Sequence, residues 1–466
     1  MNKAELIQKL FDKGIYVTKE MIENGLNEDL LKEVDDVSIV HDQDSVTVMA
    51  GHEVVTNFEN EGFKYKVQDF QRVFTTRYHY LHDIIRTHNS MKNIMSIQRL
   101  QRKKDKEQIS VIGMVSDIGE SKNGNLIITI EDPQSSCKAI VMKDKDVFEH
   151  AKDILYDEVI GVTGTGGDGV VFVDDIIWPD IPHNRQMKYA PVDENVVFIS
   201  DVHVGSDNFM HNEFVNFISW LNGEYGDDDQ KQMAKKVKYL FIAGDCVDGI
   251  GIYPKQQEEL DIDTMSGQYE AFADYLKKIP SHIQIFICPG NHDVVHLAEP
   301  QPVFYKKYTQ SLHDMPNVHL VSNPSMISIG KTEDFSGINV LMYHGYSFDF
   351  YVANVDSIRN GGGYKRADLI QQFLLKRRHL APAFKSTPYL PAYQEDPLLI
   401  RTIPDIMITG HIHYSSVANY RGVTMMSGSC WQACTKFQEK LGHEPEPGMV
   451  PVVNLKTREV NVLNFL

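Results

Sequence analysis

The sequence predicts an α/β protein in which a small helical module and a five-stranded β-barrel precede a larger α/β domain. Residues 1–40 carry apolar residues at helical spacing, and residues 108–180 switch to short strand-like runs. From Asn195 onward, apolar runs alternate with helical segments, the mark of an α/β domain. At 466 residues the chain exceeds one ordinary core, so several domains are expected.

The N-terminal module (residues 1–66 with its linker) rests on Leu6, Leu10 and Phe11, then Met21, Ile22 and Leu26, then Leu30, Leu31 and Val34. Residues 41–66 have no clear period and read as a linker, although Pro and Gly are scarce for one. A helical connector over 67–105 follows from the spacing of Phe70, Val73, Phe74, Tyr78, Leu81, Ile84 and Ile85, and ends in the basic run Gln101–Lys104. Residues 106–185 hold five strand-like runs: 109–115, 125–130, 137–142, 158–163 and 170–177. A helical segment over 146–154 lies after the third, the layout of an OB barrel. Many such barrels stack bases on aromatics, yet the second and third strands contain none, which favours a barrel used for packing and protein contact. The cluster Gly164–Gly169 reads as a hairpin loop and lacks the Lys-Ser/Thr of a phosphate loop. Pro182 and Pro191 bracket the boundary with the domain at 190–466.

Composition narrows the classes. With 42% hydrophobic and 24% charged residues the chain is globular rather than disordered. No stretch approaches the roughly 18 apolar residues needed to span a bilayer. The N-terminus has no apolar signal-peptide core, so a cytoplasmic location is expected. Five scattered cysteines suit a reducing compartment, and Cys430 and Cys434 lack the second Cys/His pair of a thiolate metal site. A formal charge of −18 opposes tight, autonomous binding to a polyanion.

Five apolar runs in the last domain end abruptly in polar residues. They lead into Asp201-Val202-His203, Gly244-Asp245-Cys246-Val247-Asp248, Gly290-Asn291-His292-Asp293, His344-Gly345 and Gly410-His411-Ile412-His413. Residues two apart in a strand point the same way, so Asp201/His203 and His411/His413 could each aim at one site if extended geometry persists. The neighbouring glycines allow sharp turns close to an ion. Carboxylate, imidazole and amide donors without thiolates suit Mn²⁺, with Fe²⁺, Zn²⁺ or Ni²⁺ as competitors. Each fragment alone is commonplace; five in this order, each after an apolar run, are not.

The ordered set resembles the calcineurin-like metallophosphoesterase superfamily. That resemblance implies an αββα sandwich with two metals between loops at one edge. It implies that Asp201, His203, Asp245 and His413 hold one cation, and that Asp245 bridges to a second held by Asn291, His344 and His411. Two cations about 3.5–4 Å apart can activate water and clamp a phosphate. His292, held by Asp248, would stabilise the transition state or protonate the leaving oxygen.

The flanking phrases are more specific. FISDVHVGS, AGDCVDGIGIYP, PGNHDVVHLAEPQP, KRRHLAPAFKSTPYLP and GSCWQACTKFQEKLGHEPEPGMVPVVNL resemble the small subunit of archaeal family D DNA polymerase, as do IGMVSDI, ITIED and DFQRVFTTRYHYL. The resemblance runs from about residue 69 to the C-terminus. It implies a 3′→5′ exonuclease that proofreads for a large catalytic subunit, acting on DNA with a single-stranded or frayed 3′ end, with a sliding clamp as a further partner. One departure is His296, where many relatives have Arg, which puts a phosphate contact in doubt. Lys376, Arg377 and Arg378 form a basic run that could touch the strand or end a solvated helix. Three other readings stand beside this one: a non-catalytic scaffold subunit, a break-repair nuclease, and a small-molecule phosphodiesterase.

Overall fold

The computed structural model describes residues 51–58, 64–104, 106–391 and 393–466. The helical module expected over residues 1–40 lies outside the described residues. Within the expected linker stands a strand, β1 (His52–Thr56). The connector is helical as its spacing requires, over Val67–Ile85 and Ile97–Arg102, with Val73, Leu81 and Ile85 buried.

The barrel comprises β2 (Glu107–Glu120), β3 (Leu126–Glu131), β4 (Ser136–Val141), β5 (Val159–Gly167) and β6 (Val170–Ile177), closed in the order β2-β3-β4-β6-β5. A short helix, Val147–Ala151, lies between β4 and β5. Val111, Ile128, Ile130, Val162, Val171 and Val173 fill its interior, as alternation along each strand dictates. The glycine cluster is mostly strand, not loop: Gly164 pairs with Val173, and the turn is confined to Asp168 and Gly169. A Cβ at Gly164 would stand 2.0 Å from the carbonyl oxygen of Phe172, so only glycine fits that crossing.

The remaining strands are β7 (Asn195–Ile199), β8 (Val237–Ala243), β9 (Gln284–Cys288), β10 (Val318–Leu320), β11 (Ser325–Ile329), β12 (Ile338–Met342), β13 (Ile406–Thr409), β14 (Ser416–Tyr420), β15 (Val423–Ser427), β16 (Met449–Asn454) and β17 (Val460–Asn464). They make two six-stranded sheets, ordered β1-β11-β12-β13-β15-β14 and β10-β9-β8-β7-β16-β17. β1 joins the first sheet antiparallel to β11. The period of two divides each strand between two cores. Val196, Phe198, Phe241 and Phe286 of one sheet share a buried cluster with Ile327, Val340, Ile408 and Met426 of the other. Val197, Leu240 and Ile285 instead meet Phe214, Phe217 and Phe272 from helices His211–Leu221 and Met265–Leu276. Leu341, Met407 and Met425 meet Phe348, Ile370 and Leu374 from helices Phe348–Asn354 and Ala367–Arg377. No helix among the described residues is long and apolar enough to cross a membrane.

Candidate metal centre

β7, β8 and β9 are neighbouring parallel strands of one sheet, and β12 and β13 are parallel neighbours in the other. The five polar motifs follow these five strands, so parallel pairing delivers every motif at strand C-termini, where α/β sheets present their ligands.

Extended geometry does not persist into the motifs. Asp201, His203, Asp245, His411 and His413 all take left-handed backbone conformations, with φ between 51° and 71°. Such a residue costs roughly 1–2 kcal/mol when it carries a Cβ, so the surroundings must enforce it. Asp201 N–H donates to Gly244 O at 3.0 Å, and His203 N–H to Asp245 O at 3.1 Å, zipping the first two loops together. His411 N–H donates to the Asp201 carboxylate at 3.0 Å, and His292 N–H to Asp245 Oδ1 at 2.8 Å. Gly290 is required by proximity: a Cβ there would lie 2.2 Å from Asp245 Oδ1.

Because the chain turns at each motif, His411 and His413 do not aim at one site, contrary to the strand argument. Asp201, His203 and His413 converge in one group, and Asp245, His344 and His411 in another, each within 4.8 Å. His413 Nε2 lies 3.4 Å from Asp201 Oδ1 and 3.0 Å from His203 Nε2. Asp245 Oδ2 stands between the groups, 3.3 Å from His344 Nε2 and 4.0 Å from His203 Nε2. Asn291 Oδ1 lies 2.9 Å from both His344 Nε2 and His411 Nδ1. All seven residues expected as ligands are therefore together.

The donor set fits divalent cations. His344 Nδ1–H donates to Ala243 O at 2.8 Å, which fixes the tautomer and turns the Nε2 lone pair toward the Asp245 carboxylate. A lone pair facing a carboxylate needs positive charge between them. Burial opposes that charge, but Asp245 outweighs it and pushes His344 up to about 10. Despite its burial, Asp245 is in turn held well below the usual carboxylate range by His344 and His292. His203 and His413 pose the same demand, two ring nitrogens face to face.

His292 and Asp248 meet, though not as expected. His292 Nδ1–H donates to the main-chain oxygen of Asp248 at 2.7 Å. The Asp248 carboxylate instead accepts from His203 Nδ1 at 3.2 Å, Gln432 Nε2 at 2.8 Å and Gln256 Nε2 at 2.7 Å. Burial lowers the His292 pKa, which keeps Nε2 unprotonated near neutrality.

Sequence reasoning missed several supports. Asp349 accepts from His411 Nε2 at 3.1 Å, and Gln438 Nε2 lies 3.0 Å from His413 Nδ1. Asp293, the last residue of the GNHD motif, is buried beneath it and accepts from Tyr269 O–H, Gly290 N–H and Cys246 N–H. Burial and the nearby Asp245 raise its pKa to about 7. Only the adjacency of Asp293 to Asn291 and His292 hinted at its part; Asp349 and Gln438 carry no motif.

The basic run is neither a strand contact nor a solvated helix end. Arg377 is buried, with Nε 2.6 Å from Glu158 Oε1 of the barrel and its guanidinium against Phe373. Arg378 is buried too, donating to Ile400 O at 2.8 Å and Arg401 O at 2.6 Å. Lys376 Nζ sits 3.9 Å above the Trp178 ring. Charge appeared in the sequence as surface, but here its partners come from the barrel and a distant loop. His296 is half-buried, and neither ring nitrogen has a hydrogen-bond partner among the described residues.

The fold and site place the chain among the non-polymerising subunits of replicative polymerases: a family model for the B-subunits of DNA polymerases alpha and epsilon matches residues 196–417, every candidate ligand included. A DNA polymerase II small subunit from Methanothermobacter thermautotrophicus is 35% identical over 460 residues, covering 97% of this chain and 91% of that one. One from Thermoplasma acidophilum is 35% identical over 483 residues, covering 100% of this chain and 93% of its own. One from Halobacterium salinarum is 36% identical over 400 residues, with coverage of 85% and 75%. The chain belongs to the family of DNA polymerase II small subunits, the small subunits of archaeal family D DNA polymerase.

Proposed function

We propose that this chain is a metal-dependent 3′→5′ exonuclease that proofreads for the large catalytic subunit of its polymerase. The observation that carries the reading is His344, held by Ala243 O in the tautomer whose Nε2 faces Asp245. A scaffold needs no such cation site. The layers of the last domain fit the αββα metallophosphoesterase sandwich, with the ligands between loops at one edge.

Asp201, His203, Asp245 and His413 would hold one divalent cation, and Asp245, Asn291, His344 and His411 a second, most suitably Mn²⁺. Bound there, the cations supply a nucleophile from water near pH 7 and neutralise the charge of a phosphodiester. The protein's part is to fix the donors: Asp248 orients His203, Asp349 orients His411, and Ala243 O orients His344. His292, tethered through Nδ1, presents Nε2 for a proton passing to the leaving oxygen. At a formal charge of −18, the chain suits DNA delivered by a partner rather than captured alone.

The test is release of nucleotides from a 3′-mismatched primer by the chain alone and with its co-purified large subunit, with and without Mn²⁺. Mn²⁺-dependent shortening from the 3′ end supports the proposal. Full-length primer under every condition, with the large subunit present, returns the chain to a scaffold.

A further inference from the structure

Beside the candidate ligands lies a pocket of about 240 Å³. His411, His413 and Tyr414 line one side, and Tyr364, Lys365 and His443 another. The Tyr364 and His443 rings approach to 4.5 Å between centroids. Lys365 Nζ reaches Glu444 at 3.1 Å, so two loops are tied together along this side. The Tyr364 hydroxyl also hydrogen-bonds Asp349, the carboxylate that holds His411 Nε2. The aromatic side of the pocket is therefore one carboxylate away from a metal ligand.

We infer that this pocket receives the terminal nucleoside of a nucleic-acid strand, its base lying against Tyr364 and His443 while the adjoining phosphodiester meets the metal ligands. The inference rests on the phosphodiesterase reading and deepens it by naming the group that is read. Both rings are half-buried, leaving a π-face for a flat ligand in a cavity whose floor is polar. Stacking on an aromatic is sequence-tolerant because every base has a π-face, which is what a proofreader of any 3′ end requires. The fixed link through Asp349 would set the base at one distance from His411, so that a single terminal linkage is presented.

The experiment compares single-stranded oligonucleotides ending in a normal 3′ nucleotide or in an abasic one, with the full chain, its co-purified large subunit and Mn²⁺. The wild type should show a KM roughly tenfold lower for the normal end, the scale of one base–aromatic stack. Tyr364→Ala should bring that ratio to near one, whatever it does to kcat, and Tyr364→Phe should keep it. Calorimetry gives a second readout without turnover: dAMP should bind roughly tenfold tighter than 2-deoxyribose 5-phosphate, and only if an aromatic stands at position 364. A ratio near one in the wild type, or an undiminished ratio in Tyr364→Ala, overturns the inference. Hydrolysis of bis(p-nitrophenyl) phosphate by the wild type checks the underlying reading separately. If neither that ester nor DNA is cleaved, the exonuclease reading falls while the calorimetric ratio still decides the pocket.

Discussion

Arg77 and Asp396, 319 positions apart, form an ion pair at 2.6 Å with both side chains buried. Arg77 also donates to Pro382 O at 2.9 Å, and Asp396 accepts from Tyr389 O–H and Leu398 N–H. The connector helix is thereby fastened to the loop after the buried basic run. Removing one partner leaves a desolvated charge, which costs about 3–5 kcal/mol, more than the pair contributes over an apolar replacement. Arg77→Met should therefore lower the free energy of unfolding by that amount in urea titration. Adding Asp396→Leu should restore much of the loss; a double variant no better than the single one would contradict this account.

His379 makes stability depend on pH. Its Nε2–H donates to Asp396 at 2.9 Å and its Nδ1 accepts from Ala381 N–H at 2.9 Å, an arrangement only the neutral ring can make. Burial is the main cause that lowers its pKa to about 4, with Arg77 adding to the effect. The folded chain thus takes this proton near pH 4 and the unfolded chain near pH 6.5. Between those values the unfolded state binds more protons, so stability falls as pH falls through the window. Unfolding followed from pH 7 to pH 4.5 should show that decline. His379→Asn should flatten it without abolishing it, because burial lowers His319 to about 4 as well.

Much of the site was legible because its chemistry sits in short contiguous motifs after apolar runs: residues 201, 203, 245, 291, 344, 411 and 413 meet as a set. The strand logic for pairing them was wrong, since left-handed turns at His411 and His413 send the two rings to different groups. Barrel strands were readable from local alternation. β1 was not, because its partner β11 lies far along the chain and five residues give little periodicity. Arg377, Arg378 and Asp349 were misread or missed for a shared reason: their roles are set by Glu158, Ile400 and His411, partners that no local window contains.

The two groups of donors predict a stoichiometry. Asn291 touches His344 and His411 but none of Asp201, His203 or His413 in the hydrogen bonds of the site. Asn291→Ala should reduce Mn²⁺ binding from two equivalents to one in calorimetry, whereas Asp245→Asn, altering the residue between both groups, should weaken both. Mn²⁺ should also raise the melting temperature of the wild type, by mass action on the folded state. Two intact sites in Asn291→Ala would show that the groups are wrongly divided.

Asp248 separates orientation of a ligand from chemistry. Its carboxylate accepts from His203, Gln256 and Gln432, while its main-chain oxygen holds His292. Substitution changes the carboxylate and leaves the main-chain contact in place. Asp248→Asn should therefore weaken Mn²⁺ binding roughly 10–100-fold, the usual consequence of losing a partner behind a ligating histidine. At saturating Mn²⁺, single-turnover cleavage should recover toward the wild-type rate, because His292 keeps its tether. His292→Ala should do the reverse, with Mn²⁺ affinity near wild type and a slower chemical step. If Asp248→Asn instead kept its Mn²⁺ affinity and lost turnover, the carboxylate would belong to proton transfer, and its 3.2 Å contact with His203 would be incidental.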